Sequence, residues 1–194
     1  MINISKEVKF ELKDNEDIIR KLRKKRAVLI GGFKEKTTRY DDENGNYEKD
    51  GKFIRVRSGL KNIISFKEKL DDSKDDTILK RNDIEVEIGD ISKMQYILEV
   101  MGLKKTCTME KYRLKWKFED VDLNVDELPF GLFLEIHGEE EQIAKVMEEL
   151  ELARENIVPG TYWDIFEKYK RSNNIEDSIK NIEFEEGYAY RLAK

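Results

Sequence analysis

Seven stretches of the chain alternate between apolar and polar residues with a period of two, which is typical of β-strands. These stretches cover residues 2–12, 53–57, 63–69, 79–88, 106–116, 120–126 and 132–137. In each of them one face is apolar and the other concentrates ionic side chains of both signs. In residues 106–116, for example, Tyr112 and Leu114 alternate with Lys111 and Arg113. The pattern predicts a sheet with one apolar face and one ionic face.

Four further stretches have apolar residues at helical spacing, namely residues 14–25, 92–101, 139–150 and 161–169. We expect Ser92 and Gln95 to form a capping box at the start of the second stretch. Amphipathic helices need an apolar surface to cover, and the outside of a closed barrel supplies one.

Two arrangements of the sheet fit this pattern. In an ordinary antiparallel sheet the polar face meets water. The polar faces here hold Arg, Lys, Glu and Asp in place of the Thr, Gln and Ser that a solvent face normally mixes in. This favours an α+β fold with a closed antiparallel β-tunnel, its ionic faces turned inward and its helices packed outside.

Composition agrees with ionic side chains in the interior. Charged residues make up 41% of the 194 residues and apolar residues 39%, whereas soluble domains average roughly 25% charged. The net charge is only -5, so no basic field favours nucleic acid and we expect no nucleic-acid partner. The length predicts one domain, residues 1–170, followed by a tail, residues 171–194.

The start of the chain and its cysteine content indicate a cytoplasmic protein. Residues 1–6 lack the apolar stretch of a secretory signal, and no apolar run reaches the length of a membrane span. Cys107 is the single cysteine and excludes an internal disulfide. We therefore expect no membrane partner and assign Cys107 to packing.

The inward ionic faces predict a site for a polyanion. Their basic members are Lys9, Arg55, Arg57, Lys67, Lys69, Arg81, Lys111, Arg113 and Lys115. Their acidic members are Glu7, Glu11, Glu85, Glu87, Asp122, Asp126 and Glu135. Arg and Lys bind phosphate oxygens, and carboxylates near phosphates are natural ligands of Mg²⁺ or Mn²⁺. One Cys and one His cannot form a Cys/His zinc site, and the chain has no Walker A loop.

The order of these motifs resembles the CYTH superfamily, which includes triphosphate tunnel metalloenzymes, thiamine triphosphatases and CyaB-like class IV adenylate cyclases. The resemblance covers roughly residues 2–170 and is strongest to the CyaB-like group. It is carried by residues 7–10, 55–57, the Lys67 strand, 81–87, 111–113, 126–127 and 131–136.

The resemblance implies an eight-stranded tunnel, with its eighth strand between Val28 and Tyr40. It implies that phosphates are contacted by Lys9, Arg55, Arg57, Lys67, Arg81, Lys111 and Arg113, and the strand pattern adds Lys69. Of these, Lys9, Arg55, Arg57, Lys111 and Arg113 are the expected catalytic residues. It implies that Glu7, Asp126 and Glu135 hold the metal ion, and that Glu85 and Glu87 either bind metal or orient basic residues.

Two positions depart from the family pattern, and both lie on its metal-binding side. The family opens with E-x-E-x-K, where this chain has Ser5, and closes with E-x-E, where it has His137. His137 is either a metal ligand or base, or a surface residue at the barrel rim.

Three functions stay open at this point. They are metal-dependent hydrolysis of a triphosphate, cyclisation of ATP to cyclic AMP, and binding of a triphosphate without catalysis. The expected ligand is a triphosphate or nucleoside triphosphate. A homodimer is left open, as is whether the tail caps the tunnel or packs against a partner.

Overall fold

The computed structural model describes residues 3–70 and 77–193. The predicted first strand begins at residue 2 and the predicted tail ends at residue 194, so these two ends lie outside the described residues.

Within the described residues the chain forms eight strands and five α-helices. The strands are β1 (Asn3–Leu12), β2 (Val28–Asp41), β3 (Lys52–Ser58), β4 (Ile63–Lys69), β5 (Leu79–Glu87), β6 (Lys104–Phe118), β7 (Val121–Leu128) and β8 (Gly131–His137). The helices are α1 (Glu16–Lys24), α2 (Asn46–Lys49), α3 (Ile91–Val100), α4 (Glu140–Glu149) and α5 (Tyr162–Ser172).

The strands close into an antiparallel barrel in the order β1-β5-β4-β3-β2-β6-β7-β8. Two meanders, β2 to β5 and β6 to β8, are joined by the long β2–β6 pair on one side. On the other side β1 lies between β5 and β8. The predicted α+β class and closed eight-stranded antiparallel tunnel are confirmed.

β2 is the strand with the weakest sequence pattern, and its geometry explains why. It pairs with β6 from Val28 to Asp41, but the register shifts between Leu29 and Gly31 and again between Arg39 and Tyr40. Such irregularities bend a strand and interrupt its simple alternation.

The hydrophobic core lies between the barrel wall and the helices. Val8 on β1 is buried in one cluster with Leu22 of α1 and with Ile143 of α4. Burying a Leu or Ile side chain contributes roughly 1.5–3 kcal/mol, so α1 and α4 are held to the wall by their apolar stripes. α3 packs on another part of the wall through Leu98, beside Val56. The apolar strand faces therefore point outward, as predicted.

Two details of the helices differ from the expectations. α3 begins at Ile91, because the Asp90 side chain accepts a hydrogen bond from the Lys93 N–H at 3.0 Å. The predicted capping box of Ser92 and Gln95 is therefore wrong. The helices also leave part of the outer wall uncovered, since Ile84 and Val86 on β5 are exposed.

The residues after α5 pack onto the barrel. The Ile182 N–H donates to the Thr108 carbonyl at 2.9 Å, and the Glu110 N–H donates to the Ile182 carbonyl at 2.7 Å. Ile182 thus occupies the edge of β6 beyond the stretch paired with β7. Leu192 is buried in the same cluster as Leu22.

No helix in the described part of the chain is both long enough and apolar enough to cross a membrane.

Candidate functional site in the tunnel

A cavity of about 290 Å³ lies inside the barrel, and side chains from all eight strands line it. The predicted ionic residues in its lining are Glu7, Lys9, Arg55, Arg57, Lys67, Arg81, Glu85, Lys111, Arg113, Lys115, Asp122 and Glu135. The ionic rows of the strands therefore converge on one interior space.

Lys9 lies between two carboxylates on the β1–β8 wall. Its Nζ is 2.5 Å from Glu7 Oε1 and 3.4 Å from Glu135 Oε1. Burial alone raises the pKa of both carboxyl groups. The charge of Lys9, joined by Arg81 at Glu7 and Arg113 at Glu135, outweighs this and holds both pKa values well below their usual range. Both carboxylates are therefore ionised at neutral pH.

Arg113 on β6 is held by short hydrogen bonds to two carboxylates. Its Nε is 2.6 Å from Asp126 Oδ1, and its Nη2 is 2.5 Å from both Asp126 Oδ2 and Glu135 Oε2. The Tyr162 hydroxyl, which α5 extends into the barrel, donates to Asp126 Oδ2 at 2.8 Å. Lys111 Nζ lies 3.3 Å from the same oxygen. Asp126 is fully buried beneath these donors.

On the opposite wall the two arginines of β3 are held more loosely. Arg55 and Arg57 on β3 approach Glu85 on β5 at 3.3 Å and 3.4 Å. Lys67 on β4 pairs with Asp83. Burial and the charge of Arg55 together lower the pKa of Lys67 to about 8, although Asp83 and Glu7 raise it. At neutral pH Lys67 is mostly protonated.

Two inward residues of β2, Glu35 and Arg39, were not predicted. Glu35 Oε1 is 3.2 Å from Lys111 Nζ. Burial raises the pKa of Glu35, but Lys111, Arg113 and Arg57 outweigh burial and hold it at about 2. The signal available in the sequence was the alternation of residues 33, 35, 37 and 39, and it is weak because the opposite face of β2 is also polar.

Arg39 has no acidic partner among the described residues. Its guanidinium stacks between two rings, 4.4 Å from the centre of Phe53 and 3.7 Å from that of Trp163. Its Nε is buried without a hydrogen bond to any described group. Burial lowers the pKa of Arg39 to about 10, so Arg39 stays positively charged at neutral pH.

The described interior carries more positive than negative charge. Nine basic side chains face it, namely Lys9, Arg39, Arg55, Arg57, Lys67, Arg81, Lys111, Arg113 and Lys115; a tenth lining residue, Lys61, is exposed and pairs with Glu87 outside the lining. Seven carboxylates oppose the nine, namely Glu7, Glu35, Asp83, Glu85, Asp122, Asp126 and Glu135. Because buried charges are costly unless compensated, an excess of two positive charges suits an anionic ligand.

Glu7, Glu135 and His137 form a group that is able to hold a cation. Their ligand atoms all lie within 4.8 Å of one another. The pairing of β1 with β8 sets Glu7 directly beside His137. His137 Nδ1 is 3.4 Å from Glu7 Oε2 and its Nε2 is 3.3 Å from Glu135 Oε2. The donor types, two carboxylates and one imidazole, fit a divalent metal ion.

Several predicted site residues lie elsewhere. Lys69 is exposed and lines a second cavity of about 560 Å³, which shares Arg39, Phe53, Arg81 and Thr161 with the first. Glu87 is exposed and pairs with Lys61 at 2.6 Å, and Glu11 is exposed. Asp126 is buried inside and the exposed Glu85 lines the cavity, but the structure does not bring them into the group of Glu7, Glu135 and His137.

The fold and the site together define a charged-tunnel protein, a closed antiparallel barrel whose positive interior fits a polyanion. More specifically, the chain belongs to the CYTH domain family, whose profile matches residues 3–170. The family expected from the ordered motifs is thus confirmed.

Individual relatives agree with this assignment. A Methanocaldococcus jannaschii protein, provisionally named an adenylate cyclase, is 25% identical over 175 residues, which cover 84% of this chain and 98% of the relative. The structure of a conserved Pyrococcus furiosus protein of unassigned function has a TM-score of 0.68 at 25% identity, covering 81% of this chain and 97% of that one. A Hippeastrum protein has the same fold, with a TM-score of 0.63 at 15% identity and coverage of 85% and 96%.

Proposed function

We propose that this protein hydrolyses a triphosphate held in the tunnel, with a divalent metal ion bound beside it. The observation that carries the proposal is the excess of two positive charges in the enclosed interior. In the reaction the oxygen of a water molecule attacks the terminal phosphorus and the anhydride bond to the middle phosphate breaks. Tripolyphosphate would yield diphosphate and phosphate, and the water proton would pass to solvent.

The looser cations are the better candidates for phosphate contacts. Arg55 and Arg57 lie 3.3–3.5 Å from Glu85, so their hydrogen bonds to Glu85 are weak and can be exchanged for phosphate oxygens. Arg113, whose bonds are 2.5–2.6 Å long, is held by two carboxylates. We assign Arg55 and Arg57 to the substrate on this ground, add Lys67 and Lys111 because they line the same cavity, and assign Arg113 to holding Asp126 and Glu135 in place.

Glu7 and Glu135, together with His137, would hold the metal ion at the β1–β8 wall. Either Mg²⁺ or Mn²⁺ accepts oxygen donors and shares its remaining positions with phosphates. When bound, such an ion neutralises the departing phosphate and lowers the pKa of the attacking water. Lys9 keeps both carboxylates ionised and therefore ready to bind a cation.

A second candidate is the formation of cyclic AMP from ATP. It is supported by the Methanocaldococcus jannaschii relative's name and by the adjoining cavity, which has room beside Phe53 for an organic group. In this reaction the ribose 3′-oxygen attacks the α-phosphorus and diphosphate leaves. Hydrolysis is preferred because it requires only the charged tunnel, whereas cyclisation also requires a site for the nucleoside. The Hippeastrum protein of the same fold is described as having a dominant triphosphatase activity.

The test is to incubate the protein with tripolyphosphate or ATP and Mg²⁺ or Mn²⁺, and to identify the products by ³¹P NMR. Phosphate with diphosphate or ADP supports hydrolysis, and cyclic AMP with diphosphate supports the second candidate. Binding without either product would indicate a binding protein whose catalysis is lost. Arg57→Met should weaken tripolyphosphate binding roughly ten- to hundredfold. Lys105→Met, which removes a charge from the exposed end of the β6 strand, is the matched control.

A further inference from the structure

His137 is the one residue of the cation-binding group that supplies nitrogen. It stands at the end of β8, facing the cavity, with about a third of its side chain exposed. Both ring nitrogens lie 3.3–3.4 Å from carboxylate oxygens, one on Glu7 and one on Glu135. Glu135 is buried and Glu7 is half-buried, so the two ring nitrogens face the same pair of acids that would share a cation.

The cross-strand neighbour of Glu135 offers an additional donor. Asn124 on β7 faces Glu135 in the register, lines the same cavity and is only 4% exposed. Its Oδ1 is buried with no hydrogen-bond partner among the described groups. Buried amide oxygens normally have a partner, so this oxygen is unpartnered and available to a ligand in the cavity.

The composition of this donor set distinguishes between metal ions. Mg²⁺ is bound almost always through oxygen, in a strict octahedral arrangement. Imidazole nitrogen suits first-row transition metals better, and carboxylate and phosphate oxygens suit Mn²⁺ as well as Mg²⁺. A site with two carboxylates and one imidazole, with the unpartnered Asn124 oxygen in the same cavity lining, therefore favours Mn²⁺ over Mg²⁺.

We propose that His137 is a direct ligand of the tunnel metal ion, together with Glu7 and Glu135, and that it makes the site selective for Mn²⁺ over Mg²⁺. The inference deepens the proposed function because it concerns the same site, but metal binding is measurable without any reaction. Ser5 lies two residues before Glu7 and adds no charge to the site, so the set has two acidic ligands.

Pulsed electron paramagnetic resonance of the Mn²⁺-loaded, tag-free protein tests ligation directly. A coordinated imidazole gives ¹⁴N hyperfine coupling, and the chain contains a single histidine, so any such coupling belongs to His137. We expect the coupling in the natural protein and its loss in His137→Gln, with Mn²⁺ affinity falling about tenfold or more. Bound Mn²⁺ without ¹⁴N coupling, or no bound Mn²⁺, would overturn the proposal.

The His137→Glu variant tests selectivity, with Mn²⁺ and Mg²⁺ affinities measured by competition. It should bind a metal ion without ¹⁴N coupling, and its ratio of Mn²⁺ to Mg²⁺ affinity should fall about tenfold. An unchanged ratio would overturn the selectivity part. Glu99→Gln, which alters an exposed carboxylate on α3, should change neither affinity. Metal binding with ¹⁴N coupling but no triphosphate hydrolysis would count against the proposed function and leave this inference standing.

Discussion

Arg113 and Asp126 face each other across β6 and β7 and form a two-pronged ion pair inside the barrel, with nitrogen–oxygen distances of 2.6 Å and 2.5 Å. Bonds of this length between a guanidinium and a carboxylate are strong and directional. Neither residue reaches open solvent, since Arg113 is 8% exposed and Asp126 is fully buried. The pair therefore fixes the β6–β7 wall on which the site is built.

The first prediction concerns this pair. Asp126→Asn should lower the free energy of unfolding by about 3–5 kcal/mol, because it removes the principal counter-charge of buried Arg113. Urea titration followed by circular dichroism measures the change. The control is Asp122→Asn, whose half-exposed pair with Lys115 should contribute less than about 1 kcal/mol. Equal losses of unfolding free energy in the two variants would show that burial does not increase the contribution of the Arg113–Asp126 pair to stability.

The second prediction concerns Lys67, whose pKa burial lowers to about 8. A bound triphosphate favours the charged form and raises this pKa again. Above pH 8 the complex must take up a proton that the free protein has lost, so affinity falls as pH rises. Between pH 7 and 9 we expect a loss of about tenfold in tripolyphosphate affinity from this group.

Calorimetric titrations at several pH values measure this effect. Lys67→Arg is the control, because arginine stays charged over this pH range. The pH dependence of binding to this variant then contains the titration of the phosphate ligand without that of Lys67. The natural protein should lose affinity more steeply than Lys67→Arg. Parallel pH profiles for the two proteins would contradict the assignment of Lys67 to the phosphate.

Most of the fold was predictable from the sequence, because apolar and ionic residues alternate with a period of two in a strand that has one apolar and one ionic face. The predicted stretches correspond to all strands except β2, where the register shifts beside Gly31 and Arg39 break the pattern. That irregularity is why Glu35 and Arg39 were missed. The position of the core outside the barrel followed from the same alternation.

The site was predictable only in part. Alternation shows which face of the sheet a side chain lies on, but it does not show how far along the tunnel that side chain lies. Lys69 and Glu87 have the inward parity, yet they lie at strand ends and are exposed. The approach of His137 to Glu7 depends on the pairing of β1 with β8, strands far apart in sequence. No local pattern sets that register, so the chemistry of the group required the structure.

The third prediction concerns Glu35, whose pKa of about 2 lies below its ordinary value of 4.5. A lowered folded-state pKa contributes stability above the unfolded-state value, and this is lost as pH falls from 4.5 towards 2. The shift corresponds to about 3 kcal/mol at neutral pH. Glu35→Gln should therefore be less stable at pH 7, and its stability should fall less steeply below pH 4.5.

Urea unfolding at pH 3 to 7 measures both effects for Glu35. Glu99→Gln, at an exposed position on α3, should leave the slope of the acid limb unchanged. If Glu35→Gln and the natural protein lose stability in parallel below pH 4.5, the cations around Glu35 do not hold its pKa down.

The fourth prediction concerns the chain beyond α5, which supplies the hydrogen-bond donors to Glu127 on β7. Its carboxylate is fully buried and accepts from the Tyr188 hydroxyl at 2.9 Å, the Arg191 N–H at 3.0 Å, Arg191 Nε at 3.1 Å and the Leu192 N–H at 2.9 Å. Removing residues 188–194 should cost about 3–5 kcal/mol, because it leaves a buried charge without its partners.

A double-mutant cycle separates this cause from general loss of packing. In the full chain Glu127→Gln should destabilise by about 1–3 kcal/mol, because an amide cannot accept all four hydrogen bonds. In the chain ending at Gly187 the same substitution should stabilise, because the carboxylate is then buried without its donors and a neutral amide costs less to bury. Urea unfolding of the four proteins measures the cycle. If Glu127→Gln destabilises both backgrounds equally, the last residues contribute through the packing of Leu192 and the aromatic rings, and the carboxylate has no part in holding them.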